Sequence, residues 1–97
     1  MRNPGLAHRT DRNQSEVVKA LRAECASVLI LSTVGDGCPD LLVGFRGRNL
    51  LLEVKDGAKV PSKRRLTPDQ KLWRSVWSGQ VNTVESVAEA LIAVGVY

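Results

Sequence analysis

The strongest constraint on this chain is a pair of apolar segments, residues 40–45 (DLLVGF) and 49–55 (NLLLEVK), separated only by Arg46-Gly47-Arg48. Two β-prone runs this close, joined across a glycine, read as a hairpin. With Gly47 and Arg48 as the central loop residues, Gly47 takes the position where a type II′ turn needs positive φ. That register pairs Phe45 with Leu50, Leu42 with Glu53 and Asp40 with Lys55, and directly opposed residues project from one face of a sheet. Asp40, Glu53 and Lys55 therefore converge.

The remaining elements follow from periodicity and punctuation. Residues 1–12 lack apolar spacing and contain Pro4 and Gly5, which predicts a flexible arm ahead of a single domain over 13–97. Asn13 or Ser15 caps a helix running to about Ala26, with Val17, Val18, Leu21 and Cys25 as its buried stripe. Residues 27–33 read as a strand, ended by Gly35-Asp36-Gly37-Cys38-Pro39. After the hairpin, residues 56–66 are polar and basic and read as an exposed loop. Thr67-Pro68-Asp69-Gln70 opens a helix, with Thr67 as cap, Pro68 at the first helical position and Gln70 closing a capping box. That helix runs to about Trp77, buries Leu72, Trp73, Val76 and Trp77, and turns Lys71 and Arg74 outward. Residues 80–84 suit a strand and 86–94 a last helix. The order α-β-β-β-α-β-α predicts an α/β fold with a mixed sheet flanked by helices.

Length and charge narrow the function. At 97 residues the chain holds one compact domain and one site at most. Its longest apolar run, residues 28–31, is far below the roughly 20 residues that cross a bilayer, and no secretory hydrophobic segment opens the sequence. A cytoplasmic, membrane-free setting is expected. Cys25 and Cys38 offer no second pair for a zinc site and read as free, packed thiols. The net charge is +4, with 14 Lys and Arg against 10 Asp and Glu. The surplus concentrates between residues 46 and 74, where Arg46, Arg48, Lys59, Lys63, Arg64 and Arg65 are candidate contacts for a polyanion.

Two carboxylates among leucines on one sheet face repel each other by about 4 kcal/mol at 4 Å and an effective dielectric near 20. Either a raised pKa or a hard divalent cation offsets that repulsion; Mg²⁺ in particular binds through one or two carboxylates plus phosphate oxygens. The bland alternative is a pair of strand acids salt-bridged to Lys55. The cation accounts better for the neighbouring lysine, which is placed to assist an attacking water and to stabilise charge on a phosphodiester. His8, alone on the arm, has no companion for acid-base work. Trp73 and Trp77, one helical turn apart, read as core or dimer-face residues before base-stacking platforms.

Asp40, then Glu53-Val54-Lys55 on the next strand, after a helix containing Glu16, resembles the PD-(D/E)xK nuclease superfamily. More narrowly, Gly37-Cys38-Pro39-Asp40, Glu53-Val54-Lys55 and Leu66-Thr67-Pro68-Asp69-Gln70 resemble the VRR-NUC (virus-type replication-repair nuclease) family. The likeness extends from about Glu16 to Val94. It implies a restriction-endonuclease-like core in which Asp40, Glu53 and the Val54 backbone carbonyl are metal ligands and Lys55 is the catalytic lysine. Glu16 corresponds to the first-helix acid that reaches the metal directly or through water, and Gln70 to the glutamine that opens the helix after the core. The cofactor implied is Mg²⁺ or Mn²⁺. The partner implied is branched DNA, such as four-way junctions or flaps, cut by a homodimer in phage or bacterial replication, recombination or repair. The competing reading is a non-catalytic DNA-binding module or assembly factor, which has no reason to hold Asp40 and Glu53 where they repel phosphates.

Overall fold

The computed structural model describes residues 12–97; His8 and all of the arm expected over residues 1–12 except Arg12 lie outside them, and Arg12 is helical. The elements are α1 (Arg12–Ala23), β1 (Ser27–Ile30), β2 (Leu41–Phe45), β3 (Arg48–Val54), α2 (Pro68–Val76), β4 (Asn82–Val84) and α3 (Val87–Val94), with a short 3₁₀ turn at Pro61–Lys63. The four strands form one sheet in the order β1-β2-β3-β4. The first three are antiparallel, and β4 returns parallel to β3 after the α2 crossover. This is the mixed α/β arrangement that the sequence predicts. No described helix is long and apolar enough to cross a membrane.

The sheet has two unequal faces. Leu41 and Val43 of β2, Leu52 and Val54 of β3 and Val84 of β4 project to one side. There they meet Val17, Val18 and Leu21 of α1 and Ala90, Leu91 and Val94 of α3. The opposite side carries Asp40, Leu42, Leu51, Glu53 and Lys55, and α2 covers it only in part. Leu42 and Leu51 stay half-exposed and no residue of α2 is buried.

Several local expectations are corrected. The hairpin pairs Phe45 with Arg48, Leu42 with Leu51 and Leu41 with Leu52, two residues from the expected register. Its central loop residues are Arg46 and Gly47, at φ 51° and 80°, the signature of a type I′ turn. The left-handed Arg46 is held by its guanidinium, which lies 4.7 Å from the Phe45 ring centre and donates to the Gly95 carbonyl. Because side chains alternate with period two, a two-residue slip leaves every one on its expected face. Asp40 now falls opposite Glu53 and not Lys55, yet the three still share a face.

Helix α1 begins at Arg12, so Asn13 and Ser15 lie inside it and neither caps it. It stops at Ala23, because Cys25 adopts φ 68° and the Ala26 amide bonds back to the Leu21 carbonyl. This closing turn needs a left-handed residue, a role usually given to glycine. Cys25 is consequently exposed and does not extend the buried stripe. In α2 the expected burial fails: Leu72 is 67% exposed, Val76 78% and Trp77 46%, and Trp73 is half-buried. The apolar spacing is helical, but α2 crosses from the inner strand β3 to the edge strand β4 and none of its residues is buried. Trp73 and Trp77 stack on each other instead, with ring centres 4.8 Å apart.

Candidate active site

The site is assembled at the ends of β2 and β3 opposite the hairpin turn. Asp40 immediately precedes β2, and its Oδ2 accepts a 2.8 Å hydrogen bond from the Val54 amide. One carboxyl oxygen is thus fixed by the backbone of the neighbouring strand. Glu53, one residue back on β3, points to the other face and is only 3% exposed. Its carboxyl group hydrogen-bonds Asp40, and its pKa is pushed up to about 8. Burial is the largest cause, the Asp40 charge and hydrogen bond come next, and Lys55 and Arg74 act in the opposite direction. A raised pKa is one of the two ways to relieve the repulsion weighed from sequence, and burial together with Asp40 produces it here.

Gln70 ties the second helix to this pair. Its Nε2 donates to Glu53 Oε2 at 2.9 Å, and its Oε1 accepts from Lys55 Nζ at 2.9 Å. The same Oε1 accepts from the Thr67 amide at 2.8 Å, while Thr67 Oγ1 accepts from the Gln70 amide. A complete capping box and two active-site contacts therefore use one side chain. Lys55 Nζ also lies 3.8 Å from Glu53 Oε2. Sequence reasoning gives Gln70 a capping role and the resemblance gives it a place in the site, and one side chain does both.

Three further residues position the cluster. Gly37 sits at φ 84°, and a Cβ there would land on the Asp69 carbonyl and within 2.9 Å of the Gln70 amide. Only glycine lets this loop pack against the first turn of α2. The second glycine of Gly35-Asp36-Gly37 was the signal, though nothing nearby named its neighbour. Asn13 donates through Nδ2 to the Lys55 carbonyl at 2.6 Å, pinning the end of β3 to α1, and no sequence pattern announces that contact. Arg74, expected to face outward, is half-buried and within electrostatic reach of Glu53. Its spacing of four from Gln70 put both on one helical face. The Cys38 thiol, beside the pair, has its pKa raised by burial and then by Glu53 and Asp40.

The remaining candidates stand apart. Glu16 pairs with Arg12 at 3.4 Å and borders a separate cleft with Asp56, Glu85 and Glu89. Among the described residues no three His, Cys, Asp or Glu side chains gather closely enough to hold one metal ion together. Arg46 and Arg48 lie at the hairpin tip, about 17 Å along β3 from Glu53 at the usual strand rise. They donate to the Gly95 and Val94 carbonyls and so complement the end of α3. Arg64 pairs with Glu85 at 3.1 Å. Lys59, Lys63 and Arg65 are exposed.

A mixed sheet with helices, carrying an acid pair and a lysine on adjoining strand ends, defines a nuclease-type α/β core. No family model matches the chain and no curated protein does. Among solved structures it is similar to a VRR_NUC domain, at 30% sequence identity and a TM-score of 0.61, over 84% of this chain and 91% of that one. The chain belongs to the VRR-NUC family, and it is a nuclease-family domain.

Proposed function

We propose that this protein is a divalent-metal-dependent endonuclease that hydrolyses phosphodiester bonds in branched DNA, such as four-way junctions or flaps, during replication, recombination or repair. The observation that carries the reading is the buried Glu53 carboxyl, set against Asp40 and joined to Lys55 through Gln70. A structural ion pair has no need for a second acid that raises the first one's pKa.

The residues fit a hard cation. Asp40 and Glu53 supply carboxylate oxygens, and the Val54 carbonyl lies on the strand edge whose amide already meets Asp40. Mg²⁺ or Mn²⁺ at this set would polarise a phosphoryl oxygen and offset the carboxylate charge. The chain's own residues do the rest. Asp40, fixed by the Val54 amide, and Glu53, fixed by Gln70, keep their oxygens in place. Lys55, steadied by Gln70 Oε1, orients the attacking water and stabilises charge on the phosphate. Exposed Lys59, Lys63 and Arg65 hold the flanking backbone, a contribution that weakens steeply with salt and carries little base preference.

The outward stripe of Leu72 and Val76 on α2 suits a second copy of the chain, so the enzyme works as a homodimer joined there. The test is cleavage of junction, flap and duplex DNA with Mg²⁺ or Mn²⁺. Cutting abolished by EDTA and by Lys55→Ala supports the reading; undiminished cutting by Lys55→Ala rejects it.

A further inference from the structure

The active-site cluster contains a cation that acts on Glu53 by its charge but stands outside the hydrogen bonds that join Gln70, Glu53, Lys55 and Asp40. Arg74 stands one turn after Gln70, on the face of α2 that Gln70 turns to Glu53. It is half-buried, and its guanidinium makes no hydrogen bond or ion pair with the described residues. Neighbouring cations in the basic segment are otherwise engaged or displayed. Arg64 is held by Glu85, Lys55 by Gln70, and Lys71 is exposed. A guanidinium presents five donors in a fixed fork suited to phosphate. Among the described residues the one buried side-chain polar atom without a partner is the Arg64 Nε, so the donors of Arg74 reach solvent and a phosphate oxygen can take the place of their water.

Charge accounting points the same way. Lys55 and Arg74 both act on Glu53 as positive charges, one from the strand and one from the helix. With a divalent cation held at the acids, Lys55 and Arg74 would add their positive charge to the face that meets the substrate. A phosphodiester brings the complementary negative charge, which increases as the phosphate is attacked.

We propose that Arg74 is a substrate-contacting residue that grips a non-bridging oxygen of the phosphate at or beside the cleaved bond, from the helix side of the site. Lys55 meets the same phosphate region from the strand side, so the two cations bracket it. The inference rests on the nuclease reading and adds a contact to it.

The test separates the two claims. Binding is measured by fluorescence anisotropy on a four-way junction across a salt series, using Glu53→Gln protein so that no cutting intervenes. Adding Arg74→Ala is expected to weaken binding about tenfold and to lower the log–log salt slope by about one. Adding Lys19→Ala, on exposed α1, leaves both unchanged. In the otherwise native enzyme, Arg74→Ala raises KM more than it lowers kcat, and Arg74→Lys recovers part of the loss. A role limited to balancing the Glu53 charge would leave the salt slope unaltered, and an unaltered slope overturns the proposal. If the native enzyme cuts while Arg74→Ala keeps its KM and slope, the contact is refuted and the nuclease reading stands. If the native enzyme cuts no DNA under any metal, both fall together.

Discussion

Gln70 Nε2 lies 2.9 Å from Glu53 Oε2, while the amide oxygen of the same side chain caps α2. One residue thus transmits the order of a helix start to the acid that sits deepest in the site. Removing it should cost the fold and the chemistry differently. Gln70→Ala is expected to lower stability by about 1 kcal/mol through the lost cap, and to lower cleavage more than tenfold because Lys55 and Glu53 lose their brace. Thr67→Ala removes the other half of the box at a similar cost in stability, yet leaves those contacts, so its cleavage stays within about threefold of native. Thermal unfolding and initial rates on the same preparations compare the two.

The raised Glu53 pKa fixes the pH dependence of the metal-free protein. Between the ordinary carboxyl value of 4.5 and about 8, folded Glu53 keeps a proton that the unfolded chain has released. The stabilisation is therefore complete below the lower value and is lost as pH rises through the window. The melting temperature should fall across that interval in native protein, and the slope should flatten in Glu53→Gln. Melting curves in EDTA at several pH values measure this.

Metal reverses the slope. A cation held by ionised Asp40 and Glu53 competes with the Glu53 proton, so Mn²⁺ should raise the melting temperature more at pH 8 than at pH 6. Glu53→Gln should leave metal-free protein at least as stable and abolish the Mn²⁺ effect. If the acids were only partners of Lys55, that substitution would destabilise the protein and Mn²⁺ would change nothing in either form.

Gly37→Ala should cost about 2 kcal/mol or more, since it combines a left-handed backbone with a collision against Asp69. Cleavage should fall with it even under conditions where the variant is fully folded, because the loop pushes the first turn of α2 away from Glu53. Circular dichroism checks the folded fraction and a cleavage assay checks the rest.

Leu72 and Val76 are exposed, so glutamates at both positions should leave the melting temperature of the separated chain nearly unchanged. If α2 joins two copies, Leu72→Glu with Val76→Glu should shift sedimentation from dimer to monomer.

The order of elements along the chain, both faces of the hairpin and the capping box were legible because each rests on local rules: period-two alternation, a glycine turn and a Thr-Pro-Asp-Gln start. The register was missed because II′ and I′ turns both accept Gly47. What favours the I′ form is distant: Arg46 reaching Gly95 and Arg48 reaching Val94. The exposure of α2 was missed for a related reason. Helical spacing shows that Leu72, Trp73, Val76 and Trp77 have apolar sides, but not whether anything packs on them. Asp40, Glu53 and Lys55 came together as the strand parity required, and Gln70 joined them as the family resemblance implied. Glu16 and the hairpin-tip arginines did not join them, since a helix face and a loop tip carry no register to aim them.

Strand β3 alternates between two jobs, and a library of single substitutions would expose it. Sorted for protein yield, such a library would penalise positions 50, 52 and 54, which lie under α1 and α3. Sorted for cutting among the variants that survive, it would penalise 53 and 55 and pass over their even-numbered neighbours. A stretch of only a few residues would thus record, by odd and even, which half of it builds the molecule and which half works on the substrate.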